Sequence, residues 1–173
     1  MTGPAKPRRR KSRDADGQGS LEAGEGELHD LYSSPEFLIR RAHQIASAAF
    51  VEACADLEIT PSQYAALFAL RQHANIGQNE LGRLVTLDRS TTSLVVKSLR
   101  ERGLVVARSD PADRRKSFLE ATDKGRLLLS MAEQRGARAS QAMMSVFDKR
   151  QATEFLRMLR MLDGSLRPSN EDL

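Results

Sequence analysis

Between Asp88 and Thr122 the chain sets hydroxyls and cations at spacings that suit contact with a polyanion. Arg89, Ser90, Thr91, Ser93 and Lys97 fall on the outward side of a helix capped by Asp88, while Val95, Val96 and Leu99 fall on the core side. Hydroxyls in a first turn can bond phosphates or base edges, and a helix N-terminus itself favours phosphate. A second basic group follows: Arg108, then Arg114, Arg115 and Lys116. The residues Ser109 to Asp113 between them have turn chemistry. Leu104 to Arg108 and Ser117 to Ala121 read as strands on either side, which makes the basic group the tip of a hairpin. In such a tip Asp113 can orient Arg115 toward a narrow, electronegative minor groove, and Arg114 suits a phosphate. A groove-sized helix followed by a basic hairpin is the sequence form of a winged helix-turn-helix, and it predicts contact with duplex DNA.

The charge is concentrated where that chemistry needs it. The 173-residue chain carries 27 Lys+Arg against 23 Asp+Glu, a net charge of +4. From Arg83 to Lys116 there are nine cations and four acids, so this one segment holds +5. Residues 1–30 hold six of each and cancel. Charge gathered on one supersecondary unit is what phosphate neutralisation and counterion release require. A winged helix used only for protein contacts would not need it, and salt-dependent duplex binding separates the two readings.

Other classes find little support. No apolar run approaches the roughly 18 residues of a membrane span, and the basic start lacks the apolar stretch of a secretory signal. A single cysteine, Cys54, allows no intrachain disulfide and fits a reducing, cytoplasmic compartment. The three histidines are scattered and no CxxC occurs, so neither metal nor cofactor is expected. Aromatics are 5% of residues and tryptophan is absent, which argues against single strands bound on stacked platforms. Nucleophile-elbow, phosphate-loop and zinc-protease motifs are missing, and the carboxylates sit in caps, turns and helix surfaces, so no enzyme is expected.

These groups must be held by the elements around them. Residues 1–30, rich in Gly, Ser, Glu and Arg, are expected to form a disordered tail, with Arg8 to Lys11 as a possible DNA arm. Residues 31–173 are expected to form one domain. Pro35 to Leu57 is expected as a long helix with Leu38, Ala42, Ile45, Ala49 and Ala53 along one face. Thr60-Pro61-Ser62-Gln63 spells a capping box for the next helix, which should fail at Asn75-Ile76-Gly77. A short helix with Leu81, Leu84 and Val85 inward precedes the Thr86-Leu87 turn. After the hairpin, Thr122 should cap a helix reaching Phe147, its apolar stripe broken near Arg135-Gly136. A last helix from Lys149 to Leu166 carries Phe155, Met158, Leu159 and Leu162. The end helices offer more apolar stripe than one small core can cover, which predicts a homodimer.

The order Thr60-Pro61-x-Gln63-Tyr64-x-x-Leu67, Asp88-Arg89-Ser90-Thr91, Glu101-Arg102-Gly103-Leu104-Val105, Asp113-x-Arg115 and Thr122-x-x-Gly125 resembles the multiple-antibiotic-resistance regulator (MarR) family over about residues 35–166. The segments Arg40 to Ile45 and Ala65 to Leu67 look closest to the repressors of nicotinate catabolism. The resemblance implies a mainly α, winged helix-turn-helix homodimer with N- and C-terminal dimerisation helices. It also implies a repressor of a pseudo-palindromic operator, released by a small aromatic acid, a phenol or an oxidant. Leu94 and Ser98 depart from it, since many members carry arginines there, and Lys97 is left as the main cation of the recognition helix. For an aromatic carboxylate effector, Arg40, His43 and Tyr64 offer a cation, a donor and a phenol. Control by oxidation would fall to Cys54, whose other reading is a small buried hydrophobe.

Overall fold

The computed structural model describes residues 30–73, 75–109 and 117–165, in two compact units divided between Gln44 and Ile45. The elements in chain order are α1 (Pro35–Ala53), a 3-10 turn (Ala55–Leu57), α2 (Pro61–Gln72), α3 (Gln78–Leu84) and α4 (Arg89–Glu101). The strands β1 (Val105–Ser109) and β2 (Ser117–Ala121) follow, then α5 (Asp123–Met144) and α6 (Lys149–Ser165). The mainly helical fold with one small antiparallel sheet matches the sequence-based expectation.

In the first unit, Ser34 Oγ accepts the Phe37 amide at 3.3 Å at the entry to α1. The Phe37 ring meets Tyr32 edge-on at 5.2 Å and lies under the Arg40 guanidinium at 5.2 Å. Leu38 and Ile39 remain exposed.

The second unit holds the core. Leu67, Leu81, Leu99, Leu104 and Leu129 are fully buried, each worth about 2 kcal/mol of transfer from water. The chain enters this core through Thr60. Its hydroxyl accepts the Gln63 amide at 3.2 Å, the Gln63 side chain accepts the Thr60 amide at 3.0 Å, and Pro61 starts α2 without needing a donor. From α2, Ala66, Leu67, Ala69 and Leu70 point inward at helical spacing. The long first helix expected to Leu57 ends at Ala53 instead, and the chain tightens into the 3-10 turn, leaving Glu58 left-handed at φ 48°. In α3 Leu81 is buried, but Leu84 is 45% exposed rather than inward. The helix is only two turns long, and its end turns that side chain away from the core.

The hairpin pairs Val105 with Ala121 and Ser109 with Ser117. Leu104 was expected as the first residue of β1, yet it lies just before the strand, buried in the turn after Gly103, whose φ of 68° suits a residue without a side chain. Ile76 was expected only as part of a helix break. It forms a single antiparallel bridge with Leu119 of β2, whose amide donates to the Ile76 carbonyl at 3.0 Å. Thr122 caps α5 through the Gly125 amide at 3.1 Å. α5 ends at Met144, three residues short of the expected Phe147, and runs unbroken through Arg135 and Gly136.

None of the described side chains of α6 is buried, and α1 has no buried residue. Met158, Leu159 and Leu162 of α6, and Leu38 and Ile45 of α1, are each more than 40% exposed. Most of the apolar side chains read as stripes in the sequence are therefore uncovered within one chain, while Ala49, Ala53 and Phe155, which stacks on Phe147, are half-buried.

Candidate nucleic-acid interface

α4 is the element that presents the predicted chemistry. Its 13 residues span about 20 Å, and Thr92, Val95, Val96 and Leu99 anchor one side in the core. That anchoring turns Arg89, Ser90, Ser93 and Lys97 to the surface, while Thr91 is half-buried. Lys97 stands 71% exposed, with Glu101 one turn on at 3.9 Å, a pairing too loose and wet to hold it.

The N-terminal turn is more occupied than the sequence suggested. The Asp88 carboxylate accepts the Thr91 amide at 2.9 Å, the Thr91 hydroxyl at 2.6 Å and the Ser90 hydroxyl at 2.5 Å. These bonds hold the Asp88 carboxyl far below the usual carboxylate range. Both hydroxyl protons are spent on the cap. Ser90 and Thr91 therefore face outward as acceptors in this arrangement, suited to base-edge donors more than to phosphates.

The opposite end of α4 is fastened to its surroundings. The Arg102 guanidinium donates to the carbonyls of Glu58 at 2.5 Å and Leu57 at 2.9 Å. Arg102 was counted among the nine cations of the Arg83–Lys116 segment, and it closes the carbonyl end of the 3-10 turn. Lys124 Nζ donates to the Arg102 carbonyl at 2.9 Å, and the Thr122 hydroxyl to the Gly103 carbonyl at 2.8 Å. Gly125 lets α5 approach so closely that a Cβ there would stand 2.2 Å from the Leu104 carbonyl oxygen. In the middle of the helix the buried Gln63, already part of the α2 capping box, donates to Ser98 Oγ at 3.0 Å. One side chain thus ties the start of α2 to α4.

On the hairpin, Arg108 is exposed and paired with Glu120 across the strands at 2.6 Å. Asp113, Arg114, Arg115 and Lys116 lie outside the described residues, as do the 1–30 segment through residue 29 and its Arg8 to Lys11 cluster.

The expected effector residues sit as follows. Arg40 covers the Phe37 ring, and His43 is exposed on α1. In the second unit the half-buried Tyr64 ring lies between Phe50, at 5.1 Å, and Phe68, at 6.2 Å. Burial pushes the Tyr64 phenol up, with the Glu133 charge adding to it. Beside this cluster Arg71 stacks on Phe68 at 4.9 Å and clasps Glu133 through two bonds of 2.7 and 2.6 Å. Phe50 and the Arg71–Glu133 clasp escaped the sequence reading, because only the tertiary fold brings Phe50 of α1 to Tyr64 and α5 to α2; Phe68 was read on α2 only as one of its apolar residues. Cys54 is 1% exposed, and burial pushes its thiol up against a smaller opposing effect of Arg135. A thiol so placed is a poor thiolate and a poor target for oxidants. Among the described residues no helix is long and apolar enough to cross a membrane.

The family model for the MarR family matches residues 59–117, from the entry of α2 to the start of β2. The transcriptional repressor NicR of Pseudomonas putida is 31% identical over 137 residues, which cover 79% of this chain and 87% of that protein. Two solved structures share the fold. BpsR of Bordetella bronchiseptica, whose DNA binding is regulated by 6-hydroxynicotinic acid, superposes with a TM-score of 0.71 at 26% identity, over 76% of this chain and 94% of its own. The PcaV regulator of Streptomyces coelicolor, solved with its natural ligand, gives 0.69 at 31% identity, over 79% and 96%. With α3 and α4 as the helix-turn-helix, the β1–β2 hairpin as the wing, and this likeness along most of its length, the chain belongs to the MarR family of transcriptional regulators.

Proposed function

We propose that the protein is a homodimeric, cytoplasmic repressor that reads a pseudo-palindromic duplex and leaves it when a small aromatic acid binds. The observation that carries the DNA-binding half is α4 itself. Four residues of one side are buried, and the other side offers Arg89, Ser90, Ser93 and Lys97 beside a hairpin that carries Arg108. Thr91 supports the helix start, while Asp113, Arg114, Arg115 and Lys116 serve the wing tip, with Arg115 in the minor groove. The uncovered stripes of α1 and α6 supply the dimer contact, and residues 31–173 make up the regulator. Two recognition helices related by a two-fold axis read half-sites about 10 bp apart.

The effector half draws on the relatives, one of them regulated by 6-hydroxynicotinic acid. Tyr64, with the Phe50 and Phe68 rings beside it, suits a planar acid, and in the first unit Arg40 and His43 are a cation and a donor that the chain can offer to such an acid. The burial of Cys54 speaks against oxidant control.

Selection of bound fragments from a random duplex pool tests the first half, and a titration of hydroxylated nicotinates and benzoates against the selected duplex tests the second. An effector should weaken DNA binding about five- to 150-fold, and by linkage the duplex must weaken effector binding equally. Tyr64→Phe, Arg40→Ala and His43→Ala should each reduce that coupling. If no acid acts while a peroxide releases wild type but not Cys54→Ser, the effector assignment is wrong. Sedimentation as a stable monomer that binds one half-site at full affinity overturns the dimer.

A further inference from the structure

Leu94 is 68% exposed on α4, in a face otherwise polar: hydroxyls, cations and, two turns on, the Glu101 carboxylate. Successive residues of an α-helix turn by about 100°, so Ser90 and Lys97 stand one turn before and after Leu94 on the same side. Thr92, Val95, Val96 and Leu99, the buried residues of α4, lie on the opposite side. Leu94 thus occupies the middle of the surface that α4 offers. It contributes nothing to the core, and an isobutyl group there leaves apolar area in water.

An occupant must supply an apolar group within a polyanionic, hydrogen-bonding surface. The centre of a protein–protein interface is depleted of charge, whereas Leu94 has Lys97 and Glu101 on its own side of α4 and Arg89 and Arg100 along one flank, all exposed. An interface with nucleic acid is polar and strongly cationic. In the major groove of duplex DNA the apolar group on the base edges is the 5-methyl of thymine. We infer that Leu94 is a specificity-determining residue, which recognises a thymine in each half-site through contact with that methyl group. The inference rests on the DNA-reading role of α4 proposed above. Leu94 has no donor or acceptor, so it discriminates thymine from cytosine by the methyl group and not by hydrogen bonding.

The test begins with the tightest duplex that the full-length wild-type protein selects from a random pool. Each thymine is then replaced in turn by deoxyuridine, which removes one methyl group and leaves every hydrogen bond and charge in place. Affinities are measured for wild type, Leu94→Ala and Leu94→Met. At one thymine position per half-site, wild type should lose about fourfold for each methyl removed, the factor expected for one buried carbon. Leu94→Ala should bind the thymine and deoxyuridine duplexes equally, and Leu94→Met, which keeps apolar reach, should retain part of the preference. Both variants should melt with wild type, because the side chain is outside the core. A selected duplex for which wild type and Leu94→Ala respond alike at every thymine overturns the assignment of Leu94 and leaves the DNA-reading role standing. Failure of wild type to enrich any duplex overturns both.

Discussion

The two ends of α4 are built on different principles. At its start, the Asp88 carboxylate bonds to Ser90 and Thr91, residues of the same helix, and all three face solvent at least in part. At its end, Arg102 reaches Glu58, 44 residues back along the chain, and Thr122, the cap of α5, closes with Lys124 and Gly125 on the backbone of residues 102–104. The helix is fastened at the carbonyl end and presented at the amide end. Stability and recognition should therefore separate along its length, and substitutions can show whether they do.

The largest effect should come from Gly125→Ala. A Cβ at that point collides with the Leu104 backbone, which cannot yield without parting α5 from the turn, and a loss of about 3 kcal/mol is expected in denaturant unfolding. Arg102→Ala should cost about 1.5 kcal/mol, because two carbonyls lose a cationic donor, and Arg102→Lys should recover only part of it. Thr122→Ala removes both the α5 cap and the bond to Gly103, at about 1 kcal/mol.

Smaller still is Asp88→Ala at the open end, where Asn in place of Asp should keep most of the cap. Its pH dependence follows from the lowered carboxyl. A group whose folded pKa is depressed stabilises fully above the unfolded value and loses that contribution as the pH falls through the folded one. The difference between wild type and Asp88→Ala should thus be constant from neutral pH down to about pH 4, and shrink only below it. Lys97→Ala should leave the unfolding curve unchanged and lower the salt slope of duplex binding by about one unit. A large stability loss in Lys97→Ala, or none in Arg102→Ala, would break the division between the two ends.

The same division explains what could be read from the chain alone. The capping box at Thr60, the caps at Asp88 and Thr122 and the span of β2 were legible, since each is a local bargain among neighbouring residues. Distant contacts were not. Nothing near Arg102 in the sequence marks the Leu57 and Glu58 carbonyls as its partners, and the residue entered the reading only as one of the nine cations between Arg83 and Lys116. The second bond of Gln63, to Ser98, is equally silent, because the capping box already explains the residue. Leu84 misled for the opposite reason: apolar spacing said inward, but a helix of seven residues ends before the pattern can be honoured. For the interface itself, the outward set on α4 was legible from helical spacing. Its hydroxyl protons were not, since their capture by Asp88 depends on rotamers.

The bridge between Ile76 and Leu119 has a consequence for how the wing breathes. The Leu119 amide donates to Ile76, outside the β1–β2 pair. Fraying of the hairpin from its tip would therefore leave that proton protected. It exchanges with solvent only when β2 parts from the corner between α2 and α3, an opening that also disturbs the core around Leu119. Deuterium uptake at this amide should be slow beside that of Ser109 and Ser117, which pair at the far end of the strands. Its rate would report the hold of the DNA lobe on its wing, in a single resonance, with or without DNA.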